Sequence, residues 1–188
     1  MPFSFSNLDI PDVKLVIPKS YTDERGYFLE SFKESDFFSN EIKTKFVQDN
    51  ISHSTKGVIR GLHYQKNPKA QAKLVTAVRG TIFDVAVDLR KNSPTFGKWV
   101  SEILSEENHK LLYIPEGFAH GFCVISEEAD VLYKVNNEYS PEHERGIIWN
   151  DSELNIEWPI DDPILHEKDS QLPVLENADN DFIFIRDK

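Results

Sequence analysis

The stretch that decides the fold is VIRGLHYQKNPKAQAKLVTAVRG, residues 58–80. Two runs rich in apolar and β-branched residues lie on either side of a loop at 66–71, which is the pattern of two strands. These runs carry four charged or titratable residues, Arg60, His63, Lys73 and Arg79. Such side chains are unusual in strands that serve only as structure. We therefore predict that the stretch forms the wall of a small β-barrel that carries the active site, with His63 as a catalytic base.

The remainder of the chain is predicted to consist mainly of short strands. Residues 81–89 alternate most clearly, with Phe83 and Val85 on one face and Asp84 and Asp88 on the other. Further strands are predicted at 13–17, 27–32, 99–104, 111–114, 118–125, 131–135 and 182–185.

This pattern determines the predicted fold class. Many short strands, Gly and Pro turns and one short helix candidate at 33–42 favour an all-β barrel or a double-sheet jelly roll. Residues 1–188 are expected to form a single domain, in which 139–188 is a turn-rich C-terminal wrap and tail. The run at 182–185 can pair with a sheet edge or with a second subunit. A barrel of this kind can hold a ligand in its mouth.

The charge balance excludes two classes of partner. The formal net charge is −11, whereas nucleic acid and anionic membrane surfaces select for clustered Lys and Arg. No run approaches the ~20 apolar residues of a membrane span. We therefore expect no nucleic-acid partner and no membrane partner. An anionic ligand would need a local positive site, which the 58–80 stretch supplies.

The single cysteine indicates the compartment. Cys123 lies in an apolar run at 122–125 and is predicted to be a buried, inert thiol rather than a nucleophile. One cysteine excludes an intrachain disulfide and agrees with a reducing compartment. Residues 1–18 lack a basic segment followed by an apolar one, so we expect no signal peptide and a cytoplasmic protein.

Residues 115–121, PEGFAHG, match the Pro-x-Gly-x-x-His signature of the cupin jelly roll, whose His is a ligand in metal-binding members. The other cupin signature has two His one residue apart, then a Glu and a Gly; its positions here hold His63, Gln65, Lys73 and Gly80. A cation beside a divalent metal costs Coulomb energy, and transition metals need three or four N, O or S ligands. The sequence also lacks a GxGxxG motif and a P-loop. We therefore expect no metal and no cofactor.

A metal-free pocket that contains His63 and Lys73 holds the two groups needed for proton abstraction beside a carbonyl. The reaction needs a base with a pKa near neutrality and a positive group where the enolate charge develops. Alternatively, His63 has only a structural role, as a hydrogen-bonded histidine inside the barrel. The neighbouring Arg60 and Lys73 argue against this alternative. Arg25 is either a solvated turn residue or a ligand contact. Residues 48–50, Gln-Asp-Asn, are either a turn or a ligand-binding strand end.

Four longer motifs follow one another in the chain, GVIRGLHYQ at 57–65, AQAKLV at 70–75, DVAVDLR at 84–90 and IPEGFAHGF at 114–122. In this order they resemble the dTDP-4-dehydrorhamnose 3,5-epimerases, the nucleotide-sugar epimerases of rhamnose biosynthesis. The resemblance runs from about residue 14 to 175. It implies a cupin-type jelly-roll β-barrel with short helices at the periphery. It also implies a cofactor-free isomerase that acts on a dTDP-4-keto-6-deoxyhexose, and a homodimer with strands crossing between barrels.

The resemblance further implies roles for individual residues. His63 matches the catalytic base and Asp169 the carboxylate that orients it. Tyr133 matches the proton donor, Lys73 the group that stabilises the enolate oxygen, and Tyr139 the aromatic that stacks on thymine. Positions that hold the nucleotide, pyrophosphate and sugar are matched by Arg25, Glu30, Gln48, Asp49, Asn50, Arg60, Lys73, His120, Glu144 and Lys168.

Two features of the site stay open. Strict strand alternation places Arg60 and His63 on opposite faces, although both are expected to meet one substrate. A bulge or twist at Gly61 would reconcile them; otherwise Arg60 serves a neighbouring subunit's site or reaches around the barrel rim. His166 stands where the family commonly has Ser, before 167–169, and we expect no change in the chemistry.

Two other functions remain as alternatives. A relative that epimerises only one carbon would share His63, Tyr133 and Lys73, so the sequence does not separate it from the double epimerase. A sugar-nucleotide-binding cupin without catalysis belongs to a different class. The presence of both His63 and Tyr133 speaks against that second alternative.

Overall fold

The chain folds almost entirely into short β-strands in the computed structural model, which describes residues 2–185. The strands are β1 (Phe3–Asn7), β2 (Lys14–Pro18), β3 (Tyr21–Asp23), β4 (Gly26–Phe28), β5 (Gln48–Thr55), β6 (Ile59–Gln65), β7 (Lys73–Arg79), β8 (Thr81–Asp88), β9 (Trp99–Ser105), β10 (Leu111–Ile114), β11 (Phe118–Val124), β12 (Glu128–Val135) and β13 (Glu144–Gly146). The helices are α1 (Glu34–Ser39), α2 (Glu167–Ser170) and a 3₁₀ turn at Leu175–Asn177.

Two antiparallel sheets form the body of the molecule. One has the strand order β1-β2-β10-β7-β12-β5 and the other the order β13-β6-β11-β8-β9, while β3 and β4 make a separate hairpin. Most neighbours within a sheet are far apart in sequence, which is the hallmark of a jelly roll rather than of a simple meander. The prediction of an all-β, cupin-type jelly roll with short peripheral helices is confirmed.

An apolar core fills the space between the sheets. Val75 of β7 and Val131 of β12 pack with Ile82 and Ala86 of β8 and Phe122 of β11. Successive side chains of a strand point to opposite faces, so every second residue of these strands faces the interior. Several polar residues at the same inward positions build the site.

The 58–80 stretch supplies two walls instead of the single wall predicted. Strand β6 pairs with β11 and β13, whereas β7 pairs with β10 and β12 in the opposite sheet. The loop between them crosses from one sheet to the other. The prediction differs because pairing partners are chosen over long sequence distances, which a local pattern does not reveal.

Both faces of β8 are buried. Its outward residues Val85 and Val87 are covered by Leu154, Leu175 and Phe182 from the C-terminal part of the chain. The acidic residues of β8 are therefore directed into the barrel and are not a solvated face.

Three local predictions are adjusted. The helix predicted at 33–42 is confined to α1, and the strand predicted at 27–32 ends at Phe28. The run at 182–185 forms no regular strand; Ile183 makes an isolated parallel bridge with Lys91 of the same chain. Among residues 2–185, no helix has the length and apolar character needed to cross a membrane.

Candidate active site

A cavity of about 450 Å³ lies between the two sheets. Eight of the predicted site residues line it: Arg60, His63, Lys73, His120, Tyr133, Glu144, Lys168 and Asp169. An adjoining cavity of about 240 Å³ shares four of these residues and adds Gln48, Asn50 and Tyr139. The structure thus gathers all but three of the predicted residues around two adjoining cavities.

A β-bulge at Gly61 places Arg60 and His63 on the same face of β6. His63 stands opposite His120 and Arg60 opposite Phe122, so that Gly61 and Leu62 together face one residue of β11. His120 and Phe122 are two residues apart and both point inward, and directly opposed side chains lie on the same side of a sheet. The bulge that the sequence left open is present, and it resolves the conflict over Arg60.

His63 is oriented by a buried carboxylate. Its Nε2 lies 2.8 Å from Oδ1 of Asp169, and the other carboxylate oxygen accepts a 3.4 Å bond from the Gly61 N–H. Burial favours the neutral acid, but these hydrogen bonds outweigh it and lower the pKa of Asp169. A carboxylate at Nε2 holds the proton on that nitrogen, which leaves Nδ1 free to accept one.

Lys73 is almost completely buried. Only 8% of the residue is exposed to solvent, and its ammonium group donates to the His63 carbonyl oxygen at 3.3 Å. Burial lowers the pKa of Lys73 to about 8, although the charges of Asp84 and Glu144 oppose this shift. The lysine is therefore a positive group whose charge depends on its acidic neighbours.

Tyr133 faces the same cavity from the opposite sheet. It lies on β12, whose inward positions also include Val131 of the core. Burial raises the pKa of Tyr133 above that of an ordinary phenol, with Arg60 opposing the shift and Glu144 adding to it. The phenol accordingly keeps its proton at neutral pH.

His120 is paired with an acidic residue to which the sequence assigned no role. Its Nε2 lies 2.7 Å from Oδ1 of Asp84, and both residues are buried. Burial lowers the pKa of His120; Asp84 opposes this shift, whereas Lys73 and His63 add to it. The sequence did contain a feature that could have drawn attention to Asp84, because an acidic residue inside an otherwise apolar strand is unusual.

A polar rim surrounds the smaller cavity. Lys168 forms an ion pair with Glu144, and the hydroxyl of Tyr139 donates to the same carboxylate at 3.0 Å. Burial raises the pKa of Glu144, but these two hydrogen bonds bring it below its usual value. Gln48 donates to Asn50 at 2.8 Å and accepts from the Tyr139 backbone N–H at 3.0 Å. The rim therefore combines one exposed aromatic ring with a connected set of polar groups.

A family model described as dTDP-4-dehydrorhamnose 3,5-epimerase matches residues 7–177. The chain belongs to this family. A dTDP-4-dehydrorhamnose 3,5-epimerase of Shigella flexneri is 60% identical over 163 residues, which cover 86% of this chain and 90% of the relative. The match thus extends over nearly the whole of both proteins.

Solved structures of this epimerase family share the fold. A dTDP-6-deoxy-D-glucose-3,5-epimerase of Legionella pneumophila, crystallised with dTDP-4-keto-L-rhamnose, is 47% identical with a TM-score of 0.90, covering 93% of this chain and 94% of that one. A 3'-monoepimerase of Streptomyces bikiniensis, crystallised with dTDP-quinovose, is 32% identical with a TM-score of 0.85, covering 90% and 87%. The same fold is therefore found in single and double epimerases.

Three of the residues carried over from the epimerase family lie outside both cavities. Arg25 is in the exposed turn between β3 and β4 and is paired with Asp23. Glu30 follows that hairpin, and Asp49 points outward from β5 and pairs with Lys134 at 2.7 Å. A single chain does not bring these three side chains to the cavity.

His166 has a structural task at the start of α2. It is the N-cap of α2, and its Nδ1 accepts from the Lys168 backbone N–H at 3.1 Å. Serine is also a preferred N-cap residue. The capping bond of His166 thus supports the start of α2, which carries Asp169. His166 also lines the cavity, as does Ser52, which the sequence did not single out.

Proposed function

We propose that this cavity converts dTDP-4-dehydro-6-deoxy-D-glucose to dTDP-4-dehydro-L-rhamnose by inverting C3 and C5. The observation that carries the proposal is the convergence of three groups on one cavity: His63 with Asp169 behind it, Lys73, and Tyr133 from the facing sheet. Membership of the epimerase family gives this convergence its chemical context. No redox or metal cofactor is part of the mechanism.

The proton transfers follow from the substrate's C4 ketone, which acidifies the hydrogens on C3 and C5. His63 takes one of these protons through Nδ1, and the electrons of the broken C–H bond move to the ketone oxygen as an enolate. Asp169 stabilises the imidazolium that forms. Lys73 supplies the positive charge near the enolate oxygen.

Inversion requires the new proton to arrive on the opposite face of the sugar ring. Tyr133 is suited to this step because it comes from the sheet opposite His63 and keeps its proton at neutral pH. When the enolate collapses, the carbon takes the phenolic proton and the C4 ketone is restored. Exchange with solvent then resets His63 and Tyr133 for the second carbon.

The polar rim is proposed to hold the rest of the nucleotide sugar. Arg60 and Lys168 offer cations to the pyrophosphate, within a chain whose net charge is −11. Tyr139 is exposed beside Gln48 and Asn50, and we assign it to stacking on thymine. His120 and Glu144 are proposed sugar contacts.

We further propose a homodimer in which the β3–β4 hairpin of each subunit completes the other's site. This arrangement accounts for Arg25 and Glu30, which lie in or directly after the hairpin and which a single chain leaves away from the cavity. It is supported by three large aromatic side chains exposed on the hairpin, Tyr21, Tyr27 and Phe28. Sedimentation equilibrium tests the dimer. Arg25→Ala should raise KM with little change in kcat, and a monomer with wild-type KM would contradict the arrangement.

Two further assignments belong with this function. Residues 1–188 are taken as one domain wrapped by its C-terminal segment, of which 186–188 lie outside the described residues. A cytoplasmic location is supported by the buried free thiol of Cys123, whose pKa burial raises to about 11.

Proton exchange in D₂O followed by ¹H NMR tests the double epimerisation. Deuterium at both C3 and C5 of the product is expected. Label at only one carbon would establish a single-carbon epimerase of the kind found in Streptomyces bikiniensis. If neither wild type nor His63→Ala turns the substrate over while both bind dTDP, the chain is a binding protein instead.

A further inference from the structure

The carboxylate of Asp84 is fully buried and only half satisfied. Its side chain is 0% exposed, Oδ1 contacts His120, and Oδ2 has no hydrogen-bond partner among residues 2–185. A buried carboxylate oxygen without a partner costs stability. Such a group persists where it serves another purpose.

Asp88 shows how the same strand satisfies a purely structural carboxylate. It is equally buried, four residues further along β8, and it accepts bonds from Arg90, Ser93 and Thr95. Its pKa is lowered because these bonds outweigh the effect of burial. Asp84 has no comparable set, so its position needs another explanation.

The neighbourhood of Lys73 provides that explanation. Within the described residues, no carboxylate oxygen lies within ion-pair distance of its ammonium group, whose hydrogen bond goes to the His63 carbonyl. Burial disfavours the charge on Lys73, and Asp84 is the strongest of the acidic groups that favour it, followed by Glu144. The titratable groups around this lysine come from every adjoining element: His63, Asp84, His120, Tyr133, Glu144 and Asp169.

We propose that Asp84 is a positioning residue: tethered by His120, its carboxylate supplies the negative charge that keeps Lys73 an ammonium ion inside the cavity. Asp84 does not line the cavity and acts through the lysine. The inference rests on the proposed function, in which Lys73 stabilises the enolate. A neutral amine at this place would lack the charge that the enolate requires.

Asp84→Asn tests the charge with little change in shape, because the amide oxygen can still accept from His120. Above its pKa Lys73 loses its proton, so a lower pKa moves that loss to lower pH. We expect the alkaline limb of the kcat/KM profile to move down by about one pH unit, with roughly fivefold less activity at pH 8, because the pKa of Lys73 in the wild type is about 8. The matched control Asp88→Asn should melt at a lower temperature and leave the alkaline limb in place.

A direct titration separates this inference from the proposed function. [¹³C]lysine NMR, with Lys73 assigned through Lys73→Met, should show Lys73 titrating at lower pH in Asp84→Asn than in wild type. Coincident curves would overturn the inference whether or not either protein turns over substrate, whereas an inactive wild type would count against the epimerase function alone. Asp84→Ser is the second uncharged variant if Asp84→Asn does not fold. If neither folds, Asp84 is structural and the inference fails.

Discussion

Gly61→Ala should destabilise the protein and displace two site residues together. An added Cβ would lie 2.5 Å from the Gly121 Cα and 2.8 Å from the His120 carbonyl oxygen, and the φ angle of Gly61 is +130°. Both neighbours are backbone atoms of β11, so no side-chain rotation relieves the clash. Backbone strain costs ~1–3 kcal/mol and overpacking ~1–3 kcal/mol. The total is about 2–6 kcal/mol, which lowers the melting temperature by roughly 4–24 °C in a chain of this size.

Gly97→Ala separates the two contributions. Gly97 also has a positive φ, +73°, but its added Cβ would meet nothing nearer than a Leu175 methyl group at 3.4 Å. It should therefore show only the backbone cost, ~1–3 kcal/mol. Differential scanning calorimetry of wild type and both variants measures the difference, expected at roughly 2–12 °C between Gly61→Ala and Gly97→Ala.

The functional consequence is measured at a temperature where all three proteins are folded. Relief of the clash requires β6 to shift against β11, which carries Arg60 and His63 with it. A displacement of about 1 Å can cost ~10²-fold in rate, so kcat/KM of Gly61→Ala should fall by about that factor while Gly97→Ala stays near wild type. If Gly61→Ala melts at the same temperature as Gly97→Ala and keeps wild-type turnover, the proposed role of the bulge is refuted.

The remaining predictions concern the proposed chemistry. Tyr133→Phe should lower epimerisation by ~10²–10⁴-fold while solvent exchange at the substrate carbons continues, because His63 is retained; near-normal turnover in an NMR assay would contradict this. Asp169→Asn removes a charge-assisted bond at 2.8 Å, worth ~1.5–3 kcal/mol, and should reduce kcat about 10–10²-fold with little effect on KM in steady-state assays. Because the folded-state pKa of Asp169 is lowered, the stability it contributes is present above the unfolded pKa of ~3.9 and is lost as pH falls through the folded value. The difference in the free energy of unfolding between wild type and Asp169→Asn, measured with urea, should therefore become smaller below about pH 4. A difference that does not change with pH would show that the lost stability has another cause. EDTA should leave turnover unchanged, because Lys73 occupies the cupin carboxylate position and residues 2–185 contain no group of three or more His, Cys, Asp or Glu side chains that could hold a metal ion. Activity that is lost in EDTA and restored by adding a metal would show that the enzyme needs one.

Much of the chemistry was readable from residue identity. Short alternating runs predicted the strands, because side chains with period two match a pleated surface with a buried face. Lys73 at the cupin carboxylate position and Gln65 at a histidine position were enough to argue against a metal without any coordinates. His63 and Tyr133 were identified through a resemblance that the family match confirms, while their roles stay proposals.

The sequence determined which residues are apolar, charged or turn-forming, and so the strands and the family. Only the tertiary structure decided that β6 and β7 belong to opposite sheets and that Arg60 and His63 share a face through the bulge at Gly61. It also turned Asp84 inward, where its carboxylate contacts His120. The physical reason is that alternation along a strand is local, whereas strand register and pairing depend on backbone hydrogen bonds to segments far away in the chain.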